Sequence, residues 1–256
     1  MNKYEIVKRI EDFAPLETQE DWDASGWVVD LPEAKVHKVM FTLTVTPEII
    51  AQAMRQACDL IISHHPLFYV PYSYKKINIY CAHTNLDKAN GGTTDLIINK
   101  LGFTSKPFND FVRIVEFESE MSVEYLKLKL FPISPKLRYV NTHDIKTIQT
   151  VGFCAGSGSE FIDSTPCDAF VTGDIKFHTA VEADKVLFDI GHFESEILAV
   201  ELLKNLANIG ANGVVANEES PFIYHTNSIF NNFKCYCLRD NYNKISRWSD
   251  LGKSIL

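Results

Sequence analysis

The spacing of apolar positions divides the chain into three stretches. Ile6, Val7, Ile10 and Phe13 recur at helical intervals and predict a helix over residues 3–13. A loop with Pro15 and the segment DWDASGW follows. The run HKVMFTLTV (37–45) is rich in β-branched and aromatic residues and reads as a strand. Thr46 then Pro47 make the N-cap and first-turn pattern of a helix reaching about Ala57. Residues 60–63 are apolar enough for a strand covered on both faces, which completes a strand–helix–strand unit. INIYCAHTNLD (77–87) repeats the theme, a short apolar strand turning polar at His83. GGTTDLIINKLG then supplies a glycine turn, a helix and a C-terminal glycine at Gly102.

From about residue 106 the texture changes. VRIVEF and EYLKLKLFP alternate as strands do, and Pro132 and Pro135 break them. IQTVGFCAGSGSEFI and CDAFVTGDIKFHTAVEA each run from a strand through a glycine turn toward a helix. KVLFDIGHFESEILAVELLKNLANIG reads as a strand over 186–190, a glycine, and an amphipathic helix capped by Gly210. A hairpin-like region closes the chain at NNFKCYCLRD. These patterns predict an α/β protein of two α/β domains, the second inserted into the first: residues 1–105 with 189–256, and residues 106–188.

Composition narrows the function. A chain of 256 residues with 46% hydrophobic and 23% charged residues is ordinary for a globular protein. The net charge of −8 argues against a nucleic-acid footprint, which needs basic stripes. A small anionic substrate stays compatible, because bound cations outweigh nearby carboxylates. The N-terminal MNKYEIVKRIEDFAP has no apolar core of a signal peptide, and no apolar run approaches the roughly 20 residues of a membrane helix. A soluble, cytoplasmic protein is expected. Cys58, Cys81, Cys154, Cys167, Cys235 and Cys237 lack zinc-ribbon spacing and read as reduced, mostly buried thiols.

The chemistry gathers at the ends of three predicted strands: His64-His65, residues 83–87, and residues 192–196. Ligand sites of α/β sheets form at the carboxyl edge, where loops and helix starts converge. Two adjacent histidines on an extended chain point apart, so each suits a different ion. His192 and Glu196 are four apart on one helix face. Each residue alone has a plain explanation, such as Asp87 capping a turn or Glu196 favouring a helix dipole. Three strand ends with ligands together weigh against that. His64, His65, Asp87, His192 and Glu196 offer three ring nitrogens and four carboxylate oxygens. This overfills one tetrahedral ion and suits two ions roughly 3.5–4 Å apart with places left for water. The mixed N/O set fits zinc, manganese, iron or cobalt. His83 reads as a residue that orients a ligand or assists a bound water.

SHHPLFY, HTNLD followed by GG, TGDIKFHTA and GHFESE, with WDASGW upstream, together resemble the Nif-three-like family. Its members are dinuclear-metal proteins often labelled GTP cyclohydrolase I type 2. The resemblance spans almost the whole chain. It implies a toroidal homohexamer and a two-metal site held by the same five residues. Two positions depart from the family pattern. Thr44 stands where an aspartate is common, and Thr93 where an asparagine is frequent. Neither falls on a proposed ligand; both bear on the contacts around the ligands and on substrate preference.

The reading is a divalent-metal-dependent hydrolase acting on GTP or a related nucleotide, opening the purine imidazole ring and releasing formate. His83 or His178 is the candidate proton shuttle, and Lys176 a candidate phosphate contact. AGSGSE (155–160) matches no phosphate-loop fingerprint and reads as a tight turn. The alternative is a non-catalytic metal-binding hexameric scaffold or metal-handling protein.

Overall fold

The computed structural model describes residues 1–223. Met1–Glu219 forms one compact unit, and a second unit begins at Ser220. The first unit starts with α1 (Lys3–Phe13), β1 (Gly26–Val29), β2 (Val39–Thr42), α2 (Pro47–Arg55), β3 (Leu60–Ser63), β4 (Asn78–Cys81), α3 (Thr84–Lys88) and α4 (Thr93–Leu101). Then come β5 (Lys106–Pro107), β6 (Arg113–Ser122), α5 (Val123–Leu130), β7 (Arg138–Val140), β8 (Thr147–Phe153), β9 (Ala169–Thr172) and α6 (Phe177–Glu182). The unit closes with β10 (Val186–Asp189), α7 (His192–Glu196), α8 (Leu198–Ala207) and β11 (Gly213–Val215).

Two mixed sheets result. The first runs β1-β4-β3-β2-β11, all parallel except β1, which pairs antiparallel with β4. The second runs β5-β6-β8-β9-β10-β7, with β8, β9 and β10 parallel at its centre. Every residue of β2, β3 and β4 is buried, as the unbroken apolar runs require of strands covered on both faces. Ile6, Ile10 and Leu203 of α1 and α8 pack on Phe41, Leu60 and Ile62 on one face. Ile49 and Ala53 of α2 pack on Met40, Ile61 and Ile79 on the other. Each of these side chains except Ala53 contributes about 1.5–3 kcal/mol on burial, so the strand carrying the paired histidines is anchored from both sides. In the second sheet Ile97 and Leu101 of α4 and Leu126 and Leu130 of α5 cover Val151, Val171 and Phe188.

The helix start at Thr46 forms as its sequence demands, with Oγ1 of Thr46 accepting from the Ile49 amide at 3.3 Å. Three elements differ from the sequence reading. EYLKLKLFP is largely helix α5, not strand. Leu126 and Leu130 are buried while Leu128 between them is 67% exposed, a helical and not a two-residue period. Ser122 caps this helix by accepting from the Tyr125 amide. Asn208, left-handed at φ +49°, and not Gly210, ends α8. DWDASGW runs into an edge strand, β1, that the loop reading missed. The closing hairpin-like region, with Cys235 and Cys237, lies outside the described residues. Cys58, Cys81 and Cys154 are buried free thiols, and Cys167 is half-buried.

The chain passes between the two sheets at Gly191. β10 pairs with β9 and β7 of the second sheet, whereas α8 packs into the core of the first. The carboxyl ends of β3, β4 and β10 therefore meet, and the residues following them share one space.

Candidate metal centre

β3 stops at Ser63, but the His64 and His65 amides still bond the carbonyls of Thr42 and Leu43. This holds both histidines at the sheet edge with their ring centroids 5.2 Å apart. Nδ1 of His64 lies 2.8 Å from the Ala82 carbonyl, which only accepts, so Nδ1 carries the proton. Nε2 of His64 is then the ring nitrogen left without a protein partner. That ring nitrogen, free to take a proton or a cation, is buried, has no hydrogen-bond partner, and stands 3.4 Å from Asp87 Oδ1 and 3.9 Å from Glu196 Oε1.

His65 and His192 address the other oxygen of the same carboxylate. Nε2 of His65 is 2.8 Å, and Nε2 of His192 2.9 Å, from Glu196 Oε2. The helical spacing of residues 192 and 196 is what aligns the second of these. Two trios of donors follow, His64 with Asp87 and Glu196, and His65 with His192 and Glu196, the atoms of each within 4.8 Å of one another. Glu196 belongs to both. His64, His65 and His83 form a third such group. All five residues singled out in the sequence are thus brought together from two sheets.

Glycines make the approach to the cluster close. A Cβ on Gly156, whose φ is +65°, would run into Glu196 Oε1. One on Gly92 would strike the Leu86 carbonyl; that tight turn brings Thr93 Oγ1 within 2.6 Å of Asp87 Oδ1. In the AGSGSE turn the amides of Ala155, Gly156 and Gly158 donate to the Thr94, Ser195 and Thr172 hydroxyls.

A Duf34/NIF3 (NGG1p interacting factor 3) family model matches residues 1–221. The chain belongs to that family. It is similar to a GTP cyclohydrolase 1 type 2 homolog of Clostridium acetobutylicum, 31% identical over 226 residues, 75% of this chain and 84% of that one. A Campylobacter jejuni protein of the same name is 30% identical over 253 residues, 88% of this chain and 100% of the other. Among solved structures, a Staphylococcus aureus hypothetical protein superposes with a TM-score of 0.75 at 22% identity, over 88% of this chain and 99% of its own. A Bacillus cereus protein related to NIF3 does so at 0.73 and 19%, over 88% and 99%. These last two likenesses carry the fold.

In this NIF3-family chain each cluster residue leans on a further partner. Thr44 Oγ1 is 2.7 Å from His65 Nδ1, and Asp174 Oδ2 is 2.6 Å from His192 Nδ1. Nδ1 of His83 donates to Asp23 Oδ1 at 2.9 Å, and Asp23 also accepts from Ala24, Ser25 and Thr84. Thr44 and Thr93, the two departures from the family pattern, both hydrogen-bond a proposed ligand directly. The sequence had marked them without that contact. Asp23 and Asp174 stood in quoted motifs with no role attached; a carboxylate in a glycine-containing turn carries no local sign of the ring it meets.

Charge in the cluster is strongly shifted. Burial disfavours protonation of His64, but Asp87 and Glu196 outweigh it and lift its pKa to about 9. His192 is lifted to about 9, chiefly by its bond to Glu196 and further by Asp174. His65 is lowered by burial, then by the like charges of His64 and His192. Burial alone would raise the Glu196 carboxyl; the histidines around it hold it well below the usual range. Asp87 is raised by its burial.

The cluster opens on a cavity of about 510 Å³ lined by His83, Asp87, His192 and Glu196 together with Trp22, Phe111 and Phe161. Lys176 and His178 are exposed at the start of α6 and do not line it. The His178 ring packs edge-on against Phe177.

Proposed function

We propose that this NIF3-family chain is a divalent-metal-dependent hydrolase with a two-ion centre, acting on GTP or a related nucleotide. The observation that carries the reading is the pair of donor trios sharing Glu196, with the orphaned Nε2 of His64 aimed between two carboxylate oxygens. Two buried carboxylates are costly without a positive charge between them, whether a proton on His64 or a cation that replaces it. His64, Asp87 and Glu196 would hold one ion, and His65, His192 and Glu196 the other, with zinc, manganese, iron or cobalt suited to the donors. When bound, such a pair supplies Lewis acidity toward water and a substrate oxygen.

The chain's own residues supply the rest. His64 through Ala82, His65 through Thr44 and His192 through Asp174 keep their protons on Nδ1, which leaves Nε2 free to ligate. His83, with Asp23 on its Nδ1, stands in a donor group with His64 and His65 and would take the proton of the attacking water. Of the two, His83 suits this task and not His178, since His83 lines the cavity and His178 does not. The names of the relatives point to a purine nucleotide. A first water would add at the carbon between the imidazole nitrogens and open the ring to a formamide, and a second would cleave that formamide to formate and a free amine. The homohexamer implied by the motif resemblance, and a cytoplasmic location, belong to the same proposal. Among the described residues no helix is long and apolar enough to cross a membrane.

The test is elemental analysis of chelator-free protein, followed by turnover of GTP by the metal-reconstituted chain. About two equivalents of metal and formate release that vanishes in Asp87→Asn, but persists in Lys106→Ala, support the reading. Tight stoichiometric metal with no turnover on a broad nucleotide panel replaces it with the non-catalytic scaffold. One equivalent or none removes the two-ion centre.

A further inference from the structure

The wall of the cavity outside the cluster is aromatic and acidic. Trp22 is 61% exposed and packs edge-on against His83. Phe111 and Phe161 stack on each other at 5.7 Å. Glu20 and Glu160 complete this wall, and among the described residues no lysine or arginine lines the cavity.

Nearby cations are already engaged. Lys88 is held 2.5 Å from Glu20 and stands 5.3 Å over the Phe111 ring. Arg113 is buried against Asp95 and backbone carbonyls, among them those of Asn109 and Asp110. Glu160 is different. It has no hydrogen-bond or ion-pair partner among the described residues, and it is exposed.

A polyphosphate laid along this wall meets carboxylates and none of the guanidinium or ammonium groups that ordinarily grip phosphate. A free carboxylate beside aromatic surfaces suits another ligand chemistry. Its two oxygens accept in parallel from a planar ring that presents two adjacent N–H donors, while the ring's faces and edges pack on Phe and Trp. A volume of about 510 Å³ has room for a nucleoside-sized ligand.

We infer that Glu160 reads the donor edge of a planar heterocycle of the 2-amino-4-oxo type, lying against Trp22, Phe111 and Phe161. The cavity then selects its ligand by the base and not by a phosphate tail. This rests on the hydrolase reading only in placing the reacting end of the ligand at the cluster.

Calorimetric titration of the metal-reconstituted full chain with guanosine, inosine, adenosine and GTP tests it. Guanosine offers two neighbouring donors, inosine one, and adenosine one donor beside a lone pair. The expected order places guanosine about tenfold tighter than inosine and adenosine, with GTP no tighter than guanosine. Glu160→Gln offers one acceptor and one donor; it should weaken guanosine about tenfold and close the gap to adenosine. An unchanged thermal midpoint checks that this exposed substitution leaves the fold intact. GTP more than tenfold tighter than guanosine, guanosine binding untouched by Glu160→Gln, or no nucleoside binding at all overturns the inference. A protein that binds guanosine through Glu160 and hydrolyses nothing keeps this inference and ends the hydrolase reading. A GTP hydrolase indifferent to Glu160 does the opposite.

Discussion

Thr44 places its hydroxyl oxygen 2.7 Å from Nδ1 of His65, while Nε2 of the same ring stands 2.8 Å from Glu196. Only the tautomer that donates from Nδ1 to Thr44 leaves an Nε2 lone pair for a cation. A neutral hydroxyl performs for His65 what the Asp174 carboxylate performs for His192. Thr44→Val, which keeps the shape and removes the oxygen, should weaken metal binding about 10- to 100-fold. Thr44→Asp should bind at least as tightly as the parent. Zinc competition against a chromogenic chelator measures both; equal affinity in the valine variant would remove Thr44 from the account.

Protons and a bound cation would compete for the same ring nitrogens. His64 and His192 move from the ordinary 6.5 to about 9, so in the metal-free fold their charged forms are stabilising. That contribution is complete below about pH 6.5 and fades as pH rises through about 9. A cation must displace these protons, so its uptake releases them at neutral pH and its affinity climbs with pH. Thermal midpoints of chelator-treated protein are expected to fall between pH 6.5 and 9, while the metal-loaded protein's margin over it widens. A metal-free midpoint that stays level across that range would contradict the charge assignment.

Gly156 and Gly102 separate backbone strain from site crowding. Both have left-handed φ, +65° and +76°, but a Cβ on Gly156 meets Glu196 whereas one on Gly102 meets nothing within 4 Å. Either alanine substitution should cost about 1–2 kcal/mol through the backbone. Gly156→Ala alone should also abolish metal uptake. Differential scanning calorimetry beside elemental analysis distinguishes the two effects, and retained metal in Gly156→Ala would show that the Glu196 carboxylate can move aside.

Asp23 touches no proposed metal ligand by hydrogen bond, yet it orients His83. Asp23→Asn should lower turnover about 100-fold with metal content unchanged, since the loss falls on proton transfer and not on the ions. Metal lost along with activity would instead make Asp23 a support of the cluster.

Much of the site was legible because its residues announce themselves locally. Paired histidines at a strand end, HTNLD and GHFESE each carry ligand types just where an apolar run stops. The helix start at Thr46-Pro47 was equally plain, since capping chemistry is written in adjacent residues. What stayed hidden depends on residues far apart in the chain. Thr44 reaches His65 across 21 positions, Asp174 reaches His192 across 18 and Asp23 reaches His83 across 60. The LKLKL run misled because its alternation satisfies a strand's period, and only the burial of Leu126 and Leu130 with Leu128 left outside reveals the helix. The edge strand β1, GWVV, carries β-favouring residues that the loop reading passed over, in a stretch too short to stand out from the polar segment before it, and it pairs with β4.

His64, His65 and Asp87 hang from strands of one sheet, whereas His192 and Glu196 start from a strand of the other. A cation gripped by both groups is therefore a rivet through the seam. Filling it would tie the two sheets together at their carboxyl ends, and withdrawing it would leave that tie unmade. Resistance to proteolysis along that seam becomes a gauge of how full the centre is.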